Sequence, residues 1–155
     1  MIPLIGLIVL FVSCKGQTGV SPATVDQSRD DSLILLLADN YSGSETAETL
    51  IIRSSKELRA FFVKVNRTRK PGLPLPLVDF TKETVLVYCS GETKGSLKPI
   101  LTLGPDSGDK KIVNTKMENK KEDSKIILSP FSMYKIPITQ KEIIFQKEII
   151  SQKNR

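Results

Sequence analysis

Ser54-Ser55-Lys56-Glu57-Leu58-Arg59-Ala60-Phe61-Phe62-Val63-Lys64-Val65-Asn66 is the clearest local element in this sequence, and it reads as a helix. Ser54 followed three residues later by Glu57 is a capping box. The Ser hydroxyl accepts from the Glu57 N–H, and the Glu carboxylate reaches back to the cap. Behind it, Leu58, Phe61, Phe62 and Val65 fall at i, i+3, i+4 and i+7, one apolar stripe on a helical period. Lys56, Arg59 and Lys64 take the wet side. Proline lacks the amide donor and clashes with the preceding turn, so Pro71-Gly72 and Pro74-Leu75-Pro76 predict a helix end near Asn66.

Outward from this helix the pattern is one of strands. Upstream, the apolar run Leu33 to Leu37 predicts a strand covered on both faces. Asp39-Asn40 and Ser42-Gly43-Ser44 mark a turn, and Thr49 to Ile52 a second strand. Downstream, Thr84 to Ser90 is rich in β-formers, and its Cys89 is expected to be a buried thiol. Pro99 demotes Leu97 to Leu103 to an edge strand or a bulge. Lys111 to Met117 alternates, and Asn119 to Asp123 reads as a charged hairpin tip. Lys125 to Leu128, Met133 to Ile138 and Ile143 to Lys147 follow. One amphipathic helix, at about residues 55–66, packed on a mostly antiparallel sheet of about six to eight strands is an α+β fold.

Length and composition narrow the chemistry. A chain of 155 residues supports one core. It contains no His, which removes Ser-His-Asp and Cys-His pairs, His-ligated zinc and imidazole proton transfer. There is no Cys-x-x-Cys pair, no Asp-rich calcium loop and no Gly-x-x-x-x-Gly-Lys phosphate loop. Neither cofactor nor metal is expected. A Ser/Lys dyad needs no His, but Ser54-Ser55-Lys56 reads better as a helix cap. Ser132 and Lys135 read as opposite faces of a strand. Asp30-Asp31 lies where nothing would raise a carboxyl pKa. The reading is therefore of a protein that is not an enzyme. The formal net charge is +6, yet acids stand among the bases, as in Lys116 to Lys125, so nucleic acid is not an expected partner. A solvated basic surface that tolerates anionic lipid headgroups fits better. Asn66-Arg67-Thr68 matches a glycosylation acceptor and reads as the loop after the helix.

The N-terminus carries an address. Ile2 to Val12 is apolar and uncharged, too short to span a bilayer and of the length of a signal-peptide core. Ser13-Cys14 follows, with Lys15-Gly16-Gln17 beyond. This ending resembles the lipobox of bacterial lipoproteins, with Phe11 and Val12 where the usual pattern has Leu and a small residue. The resemblance implies cleavage before Cys14, lipidation of its thiol and attachment to a membrane through that lipid. Residues 1–13 are then a lipoprotein signal peptide, 14–32 a flexible tether, 33–148 the domain and 149–155 a disordered tail.

Within the domain, a second resemblance rests on three stretches. They are Ser54-Ser55-Lys56-Glu57-Leu58 with Phe61-Phe62, then Pro76-Leu77-Val78-Asp79-Phe80-Thr81-Lys82-Glu83-Thr84-Val85 with Gly91, and finally Ser129-Pro130-Phe131-Ser132-Met133-Tyr134-Lys135-Ile136-Pro137. Together they resemble the C-terminal domain of the PrcB family, lipoprotein subunits of a spirochaetal surface protease complex. Where that family carries a Gly-Gly-aromatic turn after Gly91, this chain reads Glu92 to Leu97. From the residues themselves, Asp79 is expected to bond backbone N–H groups at Thr81 or Lys82, and Phe80 to lie against Phe61 and Phe62. The resemblance implies a lipid-anchored protein of the bacterial cell envelope, at the outer membrane and periplasmic or surface-facing. Its work would be non-catalytic binding, and its partner another envelope or secreted protein, such as a protease complex. The alternatives are a small-ligand-binding lipoprotein and a His-independent hydrolase.

Overall fold

The computed structural model describes residues 32–95, 98–105, 107–117 and 125–147. Cys14, the signal segment, the tether apart from Ser32, the hairpin tip at 119–123 and the tail at 149–155 lie outside the described residues. In chain order the elements are β1 (Ile34–Asp39), β2 (Glu48–Ile52), α1 (Ser55–Val65), β3 (Glu83–Cys89), β4 (Thr93–Lys94) and β5 (Ile100–Leu103), then β6 (Lys110–Lys116), β7 (Ile127–Leu128), β8 (Phe131–Pro137) and β9 (Glu142–Lys147). Seven of these strands run four residues or longer, and with the single helix they form the expected α+β fold. They divide into a four-stranded sheet in the order β1-β8-β3-β2, a three-stranded sheet β5-β6-β9, and the short ladder β4-β7. Every strand pairing is antiparallel except β6 with β9.

The division follows from which faces are apolar. β3 and β8 pair along their length at the centre of the larger sheet, and both are apolar on both sides. On one side Val85, Val87, Cys89, Phe131 and Met133 meet Ile52 and the helix residues Leu58, Phe61, Phe62 and Val65. On the other, Leu86 and Ile136 meet Leu101, Val113 and Ile143 of the smaller sheet. A sheet whose two faces are both apolar needs a cover on each, so the domain stacks as helix, four-stranded sheet, three-stranded sheet. Within the first core the Phe61 ring meets Phe131 edge-on, with centroids 5.3 Å apart and planes at 77°. Each of these apolar side chains contributes about 1.5–3 kcal/mol of gross burial.

Two strand expectations are informative. The Leu33 to Leu37 run does not become a strand covered on both faces. β1 is an edge strand paired only with β8, and Ile34 and Leu35 remain 47% and 54% exposed. A register shift between Leu35 and Leu37 lets the consecutive residues Leu36 and Leu37 both pack against the helix-side core. Pro99 stands just before β5, which is an edge strand, where a missing amide donor does no harm.

Candidate functional site beside helix α1

The residues singled out in the sequence hold local structure. Ser54 Oγ accepts from the Glu57 N–H at 3.2 Å, closing the first turn of α1. The Glu57 carboxylate reaches back to the Arg53 N–H, at 2.7 Å, one residue further out than a capping box predicts. Ser54 is extended, at φ −148° and ψ 152°, and this approach brings the Arg53 amide to the first turn. Asp79 Oδ1 accepts from the Thr81 N–H at 3.0 Å and from its hydroxyl at 2.5 Å. The Asp79 carbonyl accepts from the Lys82 and Glu83 amides. The two Thr81 bonds to the carboxylate, the hydroxyl foremost, hold the Asp79 carboxyl below its ordinary pKa. Phe80, half-buried, packs against the core that contains Phe61 and Phe62. Ser54, Glu57, Asp79 and Phe80 thus shape the helix and the turn into β3, and they do not converge on a reacting centre.

Neither Ser/Lys pairing considered from the sequence forms. Ser54 caps its helix, and Ser132 lies opposite Lys135 across β8, where Lys135 Nζ donates to Glu83 Oε1 at 2.5 Å. A different trio does meet. Lys64, in the last turn of α1, donates to Ser44 Oγ at 2.8 Å and to Glu48 Oε1 at 2.7 Å, and Ser44 Oγ donates to the same carboxylate. Lys64, and after it Ser44, hold the Glu48 carboxyl below its ordinary range. An ammonium clamped to a carboxylate has no lone pair with which to take the Ser44 proton. The trio ties the β1–β2 turn and β2 to the helix. Behind it Cys89 is fully buried, and burial pushes its thiol up to about 11, so it stays protonated and unreactive. No sequence signal pointed to this trio, since Ser44 and Lys64 are separated by 20 positions.

Between β2 and α1 runs a groove of about 420 Å³. Leu50, Ile52, Ala60 and Phe61 line its apolar length, the Glu48–Lys64 pair closes one end, and Glu57 stands at the other. The groove exists because β2 carries Glu48, Leu50 and Ile52 toward the helix side of the sheet, while the helix presents small, exposed Ala60 where a larger residue would fill the gap. β2 is also the last strand of its sheet, and its outer edge pairs with no described strand. Unpaired backbone donors and acceptors therefore border an apolar trough, the arrangement that accepts an added strand. The opposite edge, β1, carries a register shift that breaks such a ladder.

Among the described residues no group of His, Cys, Asp and Glu is placed to hold a metal ion, and no helix is long and apolar enough to cross a membrane. Comparison of the chain with protein-family models, with curated proteins and with solved structures finds no match.

Proposed function

We propose that this chain is a lipid-anchored, non-catalytic binding module of a bacterial envelope, held by an acylated Cys14, that receives an extended segment of a partner protein along β2. The observation that supports binding most directly is the apolar groove beside an unpaired strand edge. Main-chain hydrogen bonds to β2 would supply affinity, and alternate side chains of the partner, pointing into the groove, would supply selectivity. β2 is five residues long, so the paired segment is short, about 17 Å. Such an interaction is weak in free solution. Anchoring offsets this, because confinement beside a membrane raises the local concentration of a partner on the same surface to about millimolar. The resemblance to the PrcB family supports a partner among secreted or surface proteins, a protease complex first among them.

A small apolar ligand is the second reading, favoured by the groove's volume, which falls in the range of small-molecule sites. Exposed Ala60 and Glu57 on its rim would leave such a ligand wet on one side, whereas a strand brings its own backbone to cover β2.

A photoreactive amino acid at position 60, introduced in the native host, tests the reading. The expected result is a discrete adduct with one envelope protein, joined through an extended, alternating apolar segment, and weakened by Leu50→Glu. The same probe at Thr102, exposed on the smaller sheet, should give none. Identical adducts from both positions, or none from position 60, would overturn it.

A further inference from the structure

The net charge of this chain traces to one stretch of its sequence. Residues 53–82 contain eight Lys and Arg against two acids, a net +6, which is the formal net charge of the whole chain. The remaining residues hold fifteen bases and fifteen acids. In the fold, residues 53–82 are α1 and the proline loop, and α1 covers one face of the four-stranded sheet while the smaller sheet covers the other. Three of the eight cations are paired: Lys64 with Glu48, Arg69 with Asp39 and Lys82 with Asp79. Arg53, Lys56, Arg59, Arg67 and Lys70 are exposed and form no ion pair with another described residue.

Two exposed apolar side chains stand beside Arg59. Leu77 is 96% exposed, the most of any large apolar residue described, and Leu75 is 48% exposed. Both border a shallow hollow with Ser55 and Arg59 of the helix. The loop that presents them is firmly held. The Asn66 side chain donates to the Leu73 carbonyl at 3.0 Å and accepts from the Leu73 N–H at 2.8 Å. Pro71, Pro74 and Pro76 restrict its backbone, and the Asp79 turn fixes its far end. Leu73, Val78 and Phe80 pack inward, so Leu75 and Leu77 are the residues left outside.

We propose that this face is a second membrane contact, in which Leu77 and Leu75 enter the acyl boundary of an anionic leaflet while Lys56, Arg59, Arg67 and Lys70 meet its headgroup phosphates. The charge argues for an anionic surface, and the apolar crest selects a lipid one, since a polyanion such as RNA would pair the cations and leave Leu77 in water. The contact deepens the anchored reading, because a domain tethered at Cys14 would meet the bilayer at high local concentration. It also leaves the binding groove open. The groove is lined by Glu57, Ala60, Phe61 and Lys64 on one flank of α1, and the proline loop packs on the other, against Ser55, Leu58 and Arg59.

The chain contains no Trp, so Leu77→Trp supplies a single indole reporter. The full-length protein purified from host membranes is reconstituted into vesicles of phosphatidylcholine with and without phosphatidylglycerol. Emission of Leu77→Trp should shift to the blue and be quenched by brominated lipid when phosphatidylglycerol is present. Thr102→Trp, on the outer face of the smaller sheet, should keep its water-like emission. Lys56→Gln and Arg59→Gln should each weaken the contact about fivefold, and added salt should reverse it. Water-like emission from Leu77→Trp in vesicles of both compositions overturns the proposal, as does RNA binding through the same cations without any lipid-dependent shift. The mass of the N-terminal peptide from the same preparation reports acylation separately, so failure of the anchor and failure of this contact are distinguishable.

Discussion

Lys64 Nζ lies 2.7 Å from Glu48 Oε1, joining the C-terminal turn of the only described helix to the edge strand β2. This pair closes the groove at one end and, through Ser44, fastens the β1–β2 turn. Its stability should depend on pH with a definite sign. The folded-state pKa of Glu48 is lowered, so its contribution is fully present above the ordinary value of 4.5 and is lost as pH falls through the lowered folded value. Asp79 and Glu83 are lowered as well, by Thr81 and Lys135 respectively, and act in the same direction. The melting temperature should therefore fall as pH is taken from about 5 to about 3, and Glu48→Gln should flatten that decline. At neutral pH the same variant should cost less than about 1 kcal/mol, because both partners are more than a third exposed.

Gly91 is required by close approach. Its φ is +73°, and a Cβ there would lie 2.6 Å from the Thr46 carbonyl carbon and 2.7 Å from the Ala47 nitrogen. Both are backbone atoms, held by the Glu92 N–H donating to the Glu45 carbonyl at 2.9 Å. Gly91→Ala should destabilise the domain by more than about 2 kcal/mol in urea unfolding. Gly108 also has a positive φ, +57°, but a Cβ there meets nothing within 4 Å. Gly108→Ala should cost only the local backbone penalty, about 1 kcal/mol.

Cys89 should react only when the fold opens. In a Cys14→Ser background it is the sole thiol. Its burial and raised pKa predict alkylation orders of magnitude slower in native buffer than in denaturant. Fast native labelling would place the thiol at the surface and contradict the packing of β3.

The helix-side core should separate capping from packing. Ser54→Ala removes one hydrogen bond to the Glu57 amide and should cost about 1 kcal/mol. Phe131→Ala empties the fully buried site against Phe61 and should cost about 3–5 kcal/mol.

What could be read from the sequence depended on how local the physics is. The helix and its Ser54 cap were legible because a stripe at i, i+3, i+4 and i+7 and a hydroxyl at the first turn are short-range signals. The turn at Asp79 was legible for the same reason. The division of the strands between two sheets was not, because β3 reads as one apolar run whether one cover or two lies over it. The edge position of β1 was misread because a register shift, which depends on β8, carries two successive leucines to the same core. The Ser44–Glu48–Lys64 trio and the groove needed the tertiary fold, since no residue in either announces itself by spacing. The concentration of charge in residues 53–82 was present in the sequence but hidden by the balanced run Lys116 to Lys125, which suggested an even mixture.

Membrane attachment depends on Cys14, and the N-terminal peptide of the protein recovered from its host's membranes tests it most directly. The predicted result is a mature chain beginning at Cys14, heavier by a thioether-linked diacylglyceryl group, with Cys14→Ser abolishing the modification and releasing the protein from the membrane fraction. An intact, unmodified N-terminus on protein recovered from the soluble fraction would contradict it.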